Sequence, residues 1–275
     1  MAVPSDLDSQ LSARPIVLWV EDRIAKEYIY KIWSPDDKNI NILIGGGKDT
    51  IFGIVHDLRH DGNEHVFGLV DRDFGNSNQG RWSNRDINVF IPNFFEMENY
   101  LLSWPALAGC RENRLQRSET DIQQQGESLA QGMTAWMACC QVLSDYHNRL
   151  VGDYSDHPAI DAINDLTKAE NYIKGQDWYR NFQTRANGVG NDSALSSDLS
   201  SAHSDQLKNA SSDHWVQNFS GKEIFRRIRG QYFSQSRTDI DLAMAVADWQ
   251  VENYQVPADL IMLRDTLKNR VGLPS

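Results

Sequence analysis

Short apolar runs alternate with helical patterns over the first 105 residues of the chain. Four runs have the length of a buried strand: residues 16–20, 41–45, 66–70 and 87–91. Between the first and second runs, apolar residues recur at helical spacing at Ile24, Tyr28, Ile29 and Ile32. Strands that alternate with helices are typical of βαβ units. The pattern therefore predicts an α/β fold, with a mainly parallel sheet flanked by helices, over residues 14–105.

The second half of the chain has a different pattern. Residues 111–174 show mostly helical spacing, and two further helices are predicted from GKEIFRRIRG at 221–230 and from PADLIMLRDTLKNRV at 257–271. Residues 183–213 are rich in Ser, Asn, Asp and Gly, a composition typical of a loop or linker. We therefore predict a mainly helical domain over 106–275 with a mobile Ser/Asn/Gly-rich loop at 183–213.

Composition and charge narrow the class of protein. The three cysteines, two of them adjacent, suggest no disulfide framework, and no run of about 18 apolar residues is present to span a membrane. We therefore expect a cytoplasmic protein without membrane contact. The net charge of −11 argues against a broad coat of non-specific nucleic-acid contacts, which would need a Lys/Arg surface. A local basic patch or a basic partner remains compatible with it.

Carboxylates follow two of the predicted strands. Glu21 comes directly after the first run, and Asp71 and Asp73 come after the third. Because parallel strands end at the same edge of a sheet, these groups are expected to meet there. Close carboxylates repel one another unless a cation neutralises them, and an all-oxygen site favours Mg²⁺ or Mn²⁺. An Asp after a strand is also common in turns, where it caps a backbone N–H. The spacing alone leaves both interpretations open.

Four motifs in this order resemble the TOPRIM-type DUF4435 family: WVEDRIAKEYIYKIW, IGGGKD, FGLVDRDF and FFEMENYLL. Relatives of that family include OLD-type nucleases and the nuclease subunit of PARIS anti-phage defence systems. TOPRIM domains carry a Glu after the first strand and an Asp-x-Asp after the third, matched here by Glu21 and Asp71/Asp73. The turn at 45–48 and the Glu-Asn-Tyr at 98–100 recur in the family, and GKEIF at 221–225 resembles a C-terminal signature. The resemblance to the family is weaker over the rest of the chain.

One position departs from the family pattern. TOPRIM proteins often carry Gly and Asp one and four residues after the first Glu, where this chain has Asp22 and Ala25. Either Asp22 or Glu27 substitutes for the missing Asp, or the second metal position is weaker. A two-metal mechanism is therefore left open.

The resemblance implies Mg²⁺-dependent cleavage of nucleic acid, with tRNA favoured, by the toxic effector of an anti-phage system. It implies metal ligation by Glu21, Asp71 and Asp73, with Glu98 as a further candidate; a first-turn Glu favoured by the helix dipole is the alternative for Glu98. Lys48 is a candidate to neutralise the phosphate, or else a solvated lysine. The implied partners are an ABC- or AAA-type ATPase subunit and a second copy of the chain.

A basic cluster in the second half is a candidate for substrate contact. Lys222, Arg226 and Arg229 are spaced by four and three residues, so they share one helix face, with Arg227 beside it. Phosphate contacts would position a nucleic-acid strand. A solvated face that pairs with nearby acids, or a docking surface for the ATPase, would have the same pattern.

Two other classes of function stay open. The first is a non-catalytic sensor or scaffold that keeps the fold and binds an ATPase partner. The second is a different Asp-x-Asp metal enzyme, such as a nucleotide-sugar transferase. An Asp-nucleophile phosphatase would place its Asp-x-Asp after the first strand, where this chain has Glu21.

Overall fold

The computed structural model describes residues 14–34, 38–72, 74, 81–83, 85–150, 158–176, 179–180 and 192–274. The chain forms two compact units. The first comprises Met1–Arg72, Ser77–Gln123 and Gly221–Ser275, and the second comprises Asp73–Asn76 and Gln124–Ser220. The first unit thus joins the C-terminal helices to the sheet, a division that differs from the boundary between 105 and 106 predicted from the sequence.

A five-stranded sheet forms the centre of the first unit. Its strands are β1 (Ile16–Val20), β2 (Ile40–Ile44), β3 (Val66–Leu69), β4 (Arg81–Trp82) and β5 (Val89–Ile91). The order is β2-β1-β3-β5-β4, and all neighbours are parallel except the short edge strand β4, which runs antiparallel to β5. β1 is buried along its whole length, as its continuous apolar run predicts for a strand covered on both faces. The predicted α/β class with a mainly parallel sheet is confirmed.

Two helices connect the first three strands. The first, α1 (Arg23–Trp33), begins at Asp22, whose side chain accepts a hydrogen bond from the Ala25 amide at 2.9 Å. The second, α2 (Lys48–His60), packs on β3 at Gly68, where an added Cβ would lie 2.7 Å from Ile51. This close approach places the start of α2, and with it Lys48, beside the carboxyl end of β3.

The C-terminal helices complete the first unit. After a 3₁₀ turn (Met97–Leu101) and α3 (Trp104–Gly109), three helices from the end of the chain pack near α1; they are α9 (Gly221–Tyr232), α10 (Asp239–Glu252) and α11 (Ala258–Arg270). The Tyr28 hydroxyl donates to Gln250 Oε1 at 2.8 Å, and Gln250 donates to the Tyr100 carbonyl at 3.1 Å. The Trp33 indole donates to the Leu260 carbonyl at 3.2 Å. These buried bonds tie the end of the chain to the sheet's own helices.

Other helices in the described part of the chain are α4 (Glu119–Gly132), α5 (Thr134–Leu150), α6 (Leu166–Gly175), α7 (Asp192–Ala210) and α8 (Trp215–Asn218), with a short 3₁₀ turn at Ile160–Ala162. Among the described residues from 106 onward no strand occurs, which confirms the predicted helical character of this half. Within these same described ranges, no helix combines the length and apolar character of a membrane span.

The predicted loop at 183–213 is wrong over most of its length. Residues 192–210 form α7, which packs against α5, and residues 183–191 lie outside the described part of the chain. Leu195, Leu199 and Ala202 are buried and recur at helical spacing. These three buried residues therefore form one narrow stripe, whereas the overall composition of the helix is that of a loop. Ala and Ser fill the rest of the helix without preventing it.

Candidate metal centre at the carboxyl edge of the sheet

The ends of β1 and β3 bring two of the predicted carboxylates together. These strands are parallel neighbours, with Val20 opposite Leu69, so that Glu21 and Asp71 both follow at the carboxyl edge. The Asp71 amide donates to Glu21 Oε1 at 2.9 Å, and the Met97 amide donates to Asp71 Oδ1 at 3.0 Å. Both acids are half-buried. Glu21 and Asp71 therefore lie at the same edge of the sheet, and backbone N–H groups donate to the side chains of both.

The third predicted ligand, Asp73, lies outside the described residues. Within the described ranges no group of three His, Cys, Asp or Glu side chains is arranged to hold a metal ion. Arg72, between the two aspartates, is buried and donates to the Asn93 carbonyl at 3.1 Å, and its burial lowers its pKa. Of the three predicted ligands, the structure therefore describes two, Glu21 and Asp71.

Lys48 lies beside this pair. Its ammonium donates to the backbone carbonyls of Asp71 at 3.1 Å and of Arg72 at 3.2 Å. These bonds hold the segment that follows β3 and bring a positive charge to the carboxyl edge of the sheet. The role predicted for Lys48 toward a phosphate stays a prediction.

Glu98 is a buried acid in the neighbourhood of Asp22. Its side chain is only 3% exposed, and its Oε1 has no hydrogen-bond partner among the described residues. Burial and, to a smaller extent, the negative charge of Asp22 raise the pKa of Glu98 to about 7, although Lys222 and Arg226 oppose the shift. A buried oxygen without a partner costs free energy unless a proton, a cation or a ligand compensates it.

Lys222 is the positive group within reach of these acids. Its Nζ lies 3.9 Å from Asp22 Oδ2. Partial burial lowers the pKa of Lys222, but the carboxylates of Glu98, Asp22 and Glu96, with a smaller effect from Asp71, outweigh burial and raise it above its ordinary value. The ammonium is therefore held charged beside the carboxyl edge of the sheet.

Lys222 is held in place by contacts between two segments that are far apart in sequence, the start of α9 and the 3₁₀ turn. Gly221, the first residue of α9, packs so closely on the 3₁₀ turn that an added Cβ would lie 2.4 Å from the Asn99 amide nitrogen. The Lys222 amide donates to Glu96 Oε2 at 2.8 Å across 126 residues of sequence, and the Glu96 amide donates to Asn99 Oδ1 at 2.8 Å. Glycine is required here because no side chain fits.

Asp22 and Glu27, the two residues predicted as substitutes for the missing Asp, have different surroundings. Asp22 uses one oxygen to cap α1 and directs the other toward Lys222. Glu27 instead lies 3.8 Å from Arg23, four residues before it on the same helix. Of the two candidates, Asp22 is the one beside Glu98 and Lys222.

The rest of the basic cluster on α9 is paired within the chain. Arg226 lies 3.0 Å from Glu223 and 3.8 Å from Asp239, and Arg229 donates to Asp239 and to the Ser236 carbonyl. Arg227 is half-buried. The substrate role of this face stays a prediction. Its spacing indicated a shared face, but no local pattern indicated that Lys222 would lie near Glu98.

No protein-family model matches this chain, and no curated protein matches it. The arrangement of Glu21, Asp71, Glu98 and Lys222 is therefore the basis for assigning chemistry. The carboxylates of Glu21 and Asp71 are oxygen donors of the kind that Mg²⁺ and Mn²⁺ prefer, and a cation is one of the groups that would compensate the buried Glu98 oxygen.

Proposed function

We propose that this chain is a Mg²⁺-dependent nuclease whose site lies at the carboxyl ends of β1 and β3. The observation that carries the proposal is the bond from the Asp71 amide to the Glu21 carboxylate, which joins the residues that follow two neighbouring parallel strands. Ligand sites of open α/β sheets lie at this edge. The buried Glu98 and the ammonium groups of Lys48 and Lys222 near the same edge add support.

Glu21 and Asp71 would hold the cation, with Asp73 and Glu98 as further candidates. A bound Mg²⁺ would supply a Lewis acid for the phosphate and lower the pKa of an attacking water. Lys222 and Lys48 would supply positive charge to a phosphodiester that gains negative charge during cleavage. Burial, which raises the pKa of Glu98 to about 7, would suit this side chain to act as a general acid or base.

The resemblance to the PARIS nuclease subunit favours tRNA as the substrate. It also favours an anti-phage effector role in the cytoplasm under the control of an ATPase partner. Because the chain carries a net charge of −11, it needs a local positive groove to approach an acidic polymer. A second copy of the chain or the ATPase subunit would complete such a groove.

The experiment that tests this function is a cleavage assay on labelled tRNA, unstructured RNA and duplex DNA, with Mg²⁺ or with EDTA. Asp71→Asn and Glu21→Gln remove the charge of each ligand. In Asp71→Asn the amide oxygen still accepts the bond from the Met97 amide, so the loop keeps its support. We expect Mg²⁺-dependent cleavage to fall by about 100-fold or more, equivalent to about 2.7 kcal/mol.

The matched control is Asp57→Asn, which removes the same charge from an exposed position on α2 and should leave cleavage unchanged. Equal cleavage by the control and by Asp71→Asn would contradict the proposal. So would cleavage that persists in EDTA.

A further inference from the structure

Two arginines meet aromatic rings near the edge strand β4. The Arg270 guanidinium lies 3.7 Å from the centroid of Trp82, and the Arg59 guanidinium lies 5.2 Å from that of Phe67. The two rings are 6.0 Å apart. Arg59, Phe67, Trp82 and Arg270, here called the arginine–aromatic cluster, therefore join α2, β3, β4 and α11. Phe67 is buried, and the parts of the cluster that reach the surface are the two arginines and the half-buried Trp82.

Backbone carbonyls fix the position of both guanidinium groups. Arg59 donates to the carbonyls of Glu64 at 2.6 Å and Val66 at 2.9 Å, and Arg270 donates to that of Ile87 at 2.8 Å. In both arginines these bonds use only the Nη1 nitrogen, and a guanidinium carries five N–H donors. The unused donors are thus held in a defined orientation before any ligand arrives.

The positive charge of the cluster is not balanced from within the described residues. Neither Arg59 nor Arg270 forms an ion pair with a carboxylate there. Partial burial lowers the pKa of Arg270, and the positive charge of Arg59 lowers it further, so the two cations are near enough to repel. In a chain with 38 acidic and 27 basic residues, two neighbouring arginines without a carboxylate partner among the described residues are able to bind an anion from outside the chain.

The cluster is separate from the candidate metal centre. Arg59 bonds to the first residue of β3, and Arg270 bonds to a residue that precedes β5, so both lie at the amino ends of parallel strands. Glu21 and Asp71 follow the opposite, carboxyl ends. β3 has four residues, which separates the two edges by roughly 13 Å at about 3.3 Å per residue.

We propose that the arginine–aromatic cluster binds the phosphodiester backbone of a single-stranded nucleic acid, as a second contact for the polymer cleaved at the metal centre. The identity of the polymer rests on the proposed function. Guanidinium groups match phosphate oxygens in a two-point geometry. The exposed Arg270 guanidinium covers the half-buried Trp82 ring and bonds to the carbonyl of Ile87, whose side chain is exposed. Bases stack on guanidinium planes as well as on aromatic rings. This combination favours a nucleic acid over an acidic protein, which would use the charge alone.

The test measures the anisotropy of a labelled single-stranded RNA in EDTA, with every protein carrying Asp71→Asn so that binding is read without cleavage. The cluster variant carries Arg59→Gln and Arg270→Gln. The control carries Arg111→Gln and Arg114→Gln, two exposed arginines of the same unit, and has the same net charge. Thermal unfolding of both double variants checks that the fold is retained.

We expect the cluster variant to bind the RNA at least 10-fold more weakly, and the control to change less than about 3-fold. The slope of log K against log salt should fall by about 1.4, because each lost phosphate contact on a single strand removes about 0.7. Equal RNA binding by the cluster variant and the control would overturn the inference. Competition by poly-glutamate as effective as that by unlabelled RNA would overturn it as well, since it would indicate an acidic protein.

The outcome is independent of catalysis. If the wild-type chain cleaves nucleic acid but the cluster variant binds RNA as the control does, the inference fails and the proposed function stands. If no cleavage occurs but RNA binding depends on the two arginines, the proposed function fails and the binding site stands.

Discussion

Replacing Gly221 with alanine tests the packing that holds Lys222 near the carboxyl edge of the sheet. The added Cβ would lie 2.4 Å from the Asn99 amide nitrogen and 2.5 Å from Asn99 Cγ and Oδ1. Backbone cannot move aside cheaply, and the Asn99 side chain is held by its 2.8 Å bond from the Glu96 amide. Either α9 shifts away from the 3₁₀ turn, or this bond breaks.

The expected loss of stability is estimated from the overpacked contact and the broken hydrogen bond. Overpacking a close contact costs about 1–3 kcal/mol, and loss of one hydrogen bond adds about 1 kcal/mol. We therefore expect Gly221→Ala to lower the free energy of unfolding by about 2–4 kcal/mol. In a protein of this size each kcal/mol lowers the melting temperature by about 2–4 °C.

The same helix supplies the matched control. An added Cβ at Gly230 meets no atom within 4 Å. Alanine has a higher helix propensity than glycine, so Gly230→Ala should stabilise the chain by about 0.5–1 kcal/mol. Urea unfolding of both variants would measure the difference. A Gly221→Ala protein within about 0.5 kcal/mol of the wild type would refute the close packing of α9 on the turn.

Two further predictions concern a buried acid and a buried helix. Because burial raises the pKa of Glu98 to about 7, its contribution to stability is present below its unfolded pKa and is lost as the pH rises toward 7. From pH 5 to pH 8, the free energy of unfolding of Glu98→Gln should therefore rise by about 1–3 kcal/mol relative to that of the wild type. Urea unfolding in EDTA would measure both proteins. The same difference between them at both pH values would contradict the raised pKa of Glu98. On α7, Leu199 is buried and Leu207 is half-exposed. Leu199→Ala should lower the free energy of unfolding by about 2–5 kcal/mol, whereas Leu207→Ala should change it by no more than about 0.5 kcal/mol. Equal effects of the two substitutions would show that α7 is not packed as described.

The sheet and half of the candidate site were predictable from local patterns. Buried parallel strands are continuous apolar runs, so β1 matches the run at 16–20 residue for residue. Once two such strands are neighbours, their common direction brings Glu21 and Asp71 to one edge. That inference needs only strand order, which βαβ connections restrict strongly.

Features that depend on long-range packing were not predictable in this way. The Lys222 amide bonds to Glu96 across 126 residues, and no periodicity within either segment indicates that contact. The arginine–aromatic cluster likewise joins four elements from different parts of the chain. On α7, the overall composition is typical of a loop, and only the helical spacing of Leu195, Leu199 and Ala202 indicates a buried face.

A titration of the protein with Mn²⁺, followed by the electron paramagnetic resonance signal of the free ion, tests most directly whether the carboxyl edge of the sheet holds a divalent cation. We predict saturable binding by the wild type that Mg²⁺ displaces. Asp71→Asn and Glu21→Gln should each weaken this binding by at least about 10-fold, because each removes one charged oxygen ligand. The Asp57→Asn control should bind as the wild type does. Equal Mn²⁺ affinity in all four proteins, or no saturable binding by the wild type, would contradict a metal centre at Glu21 and Asp71.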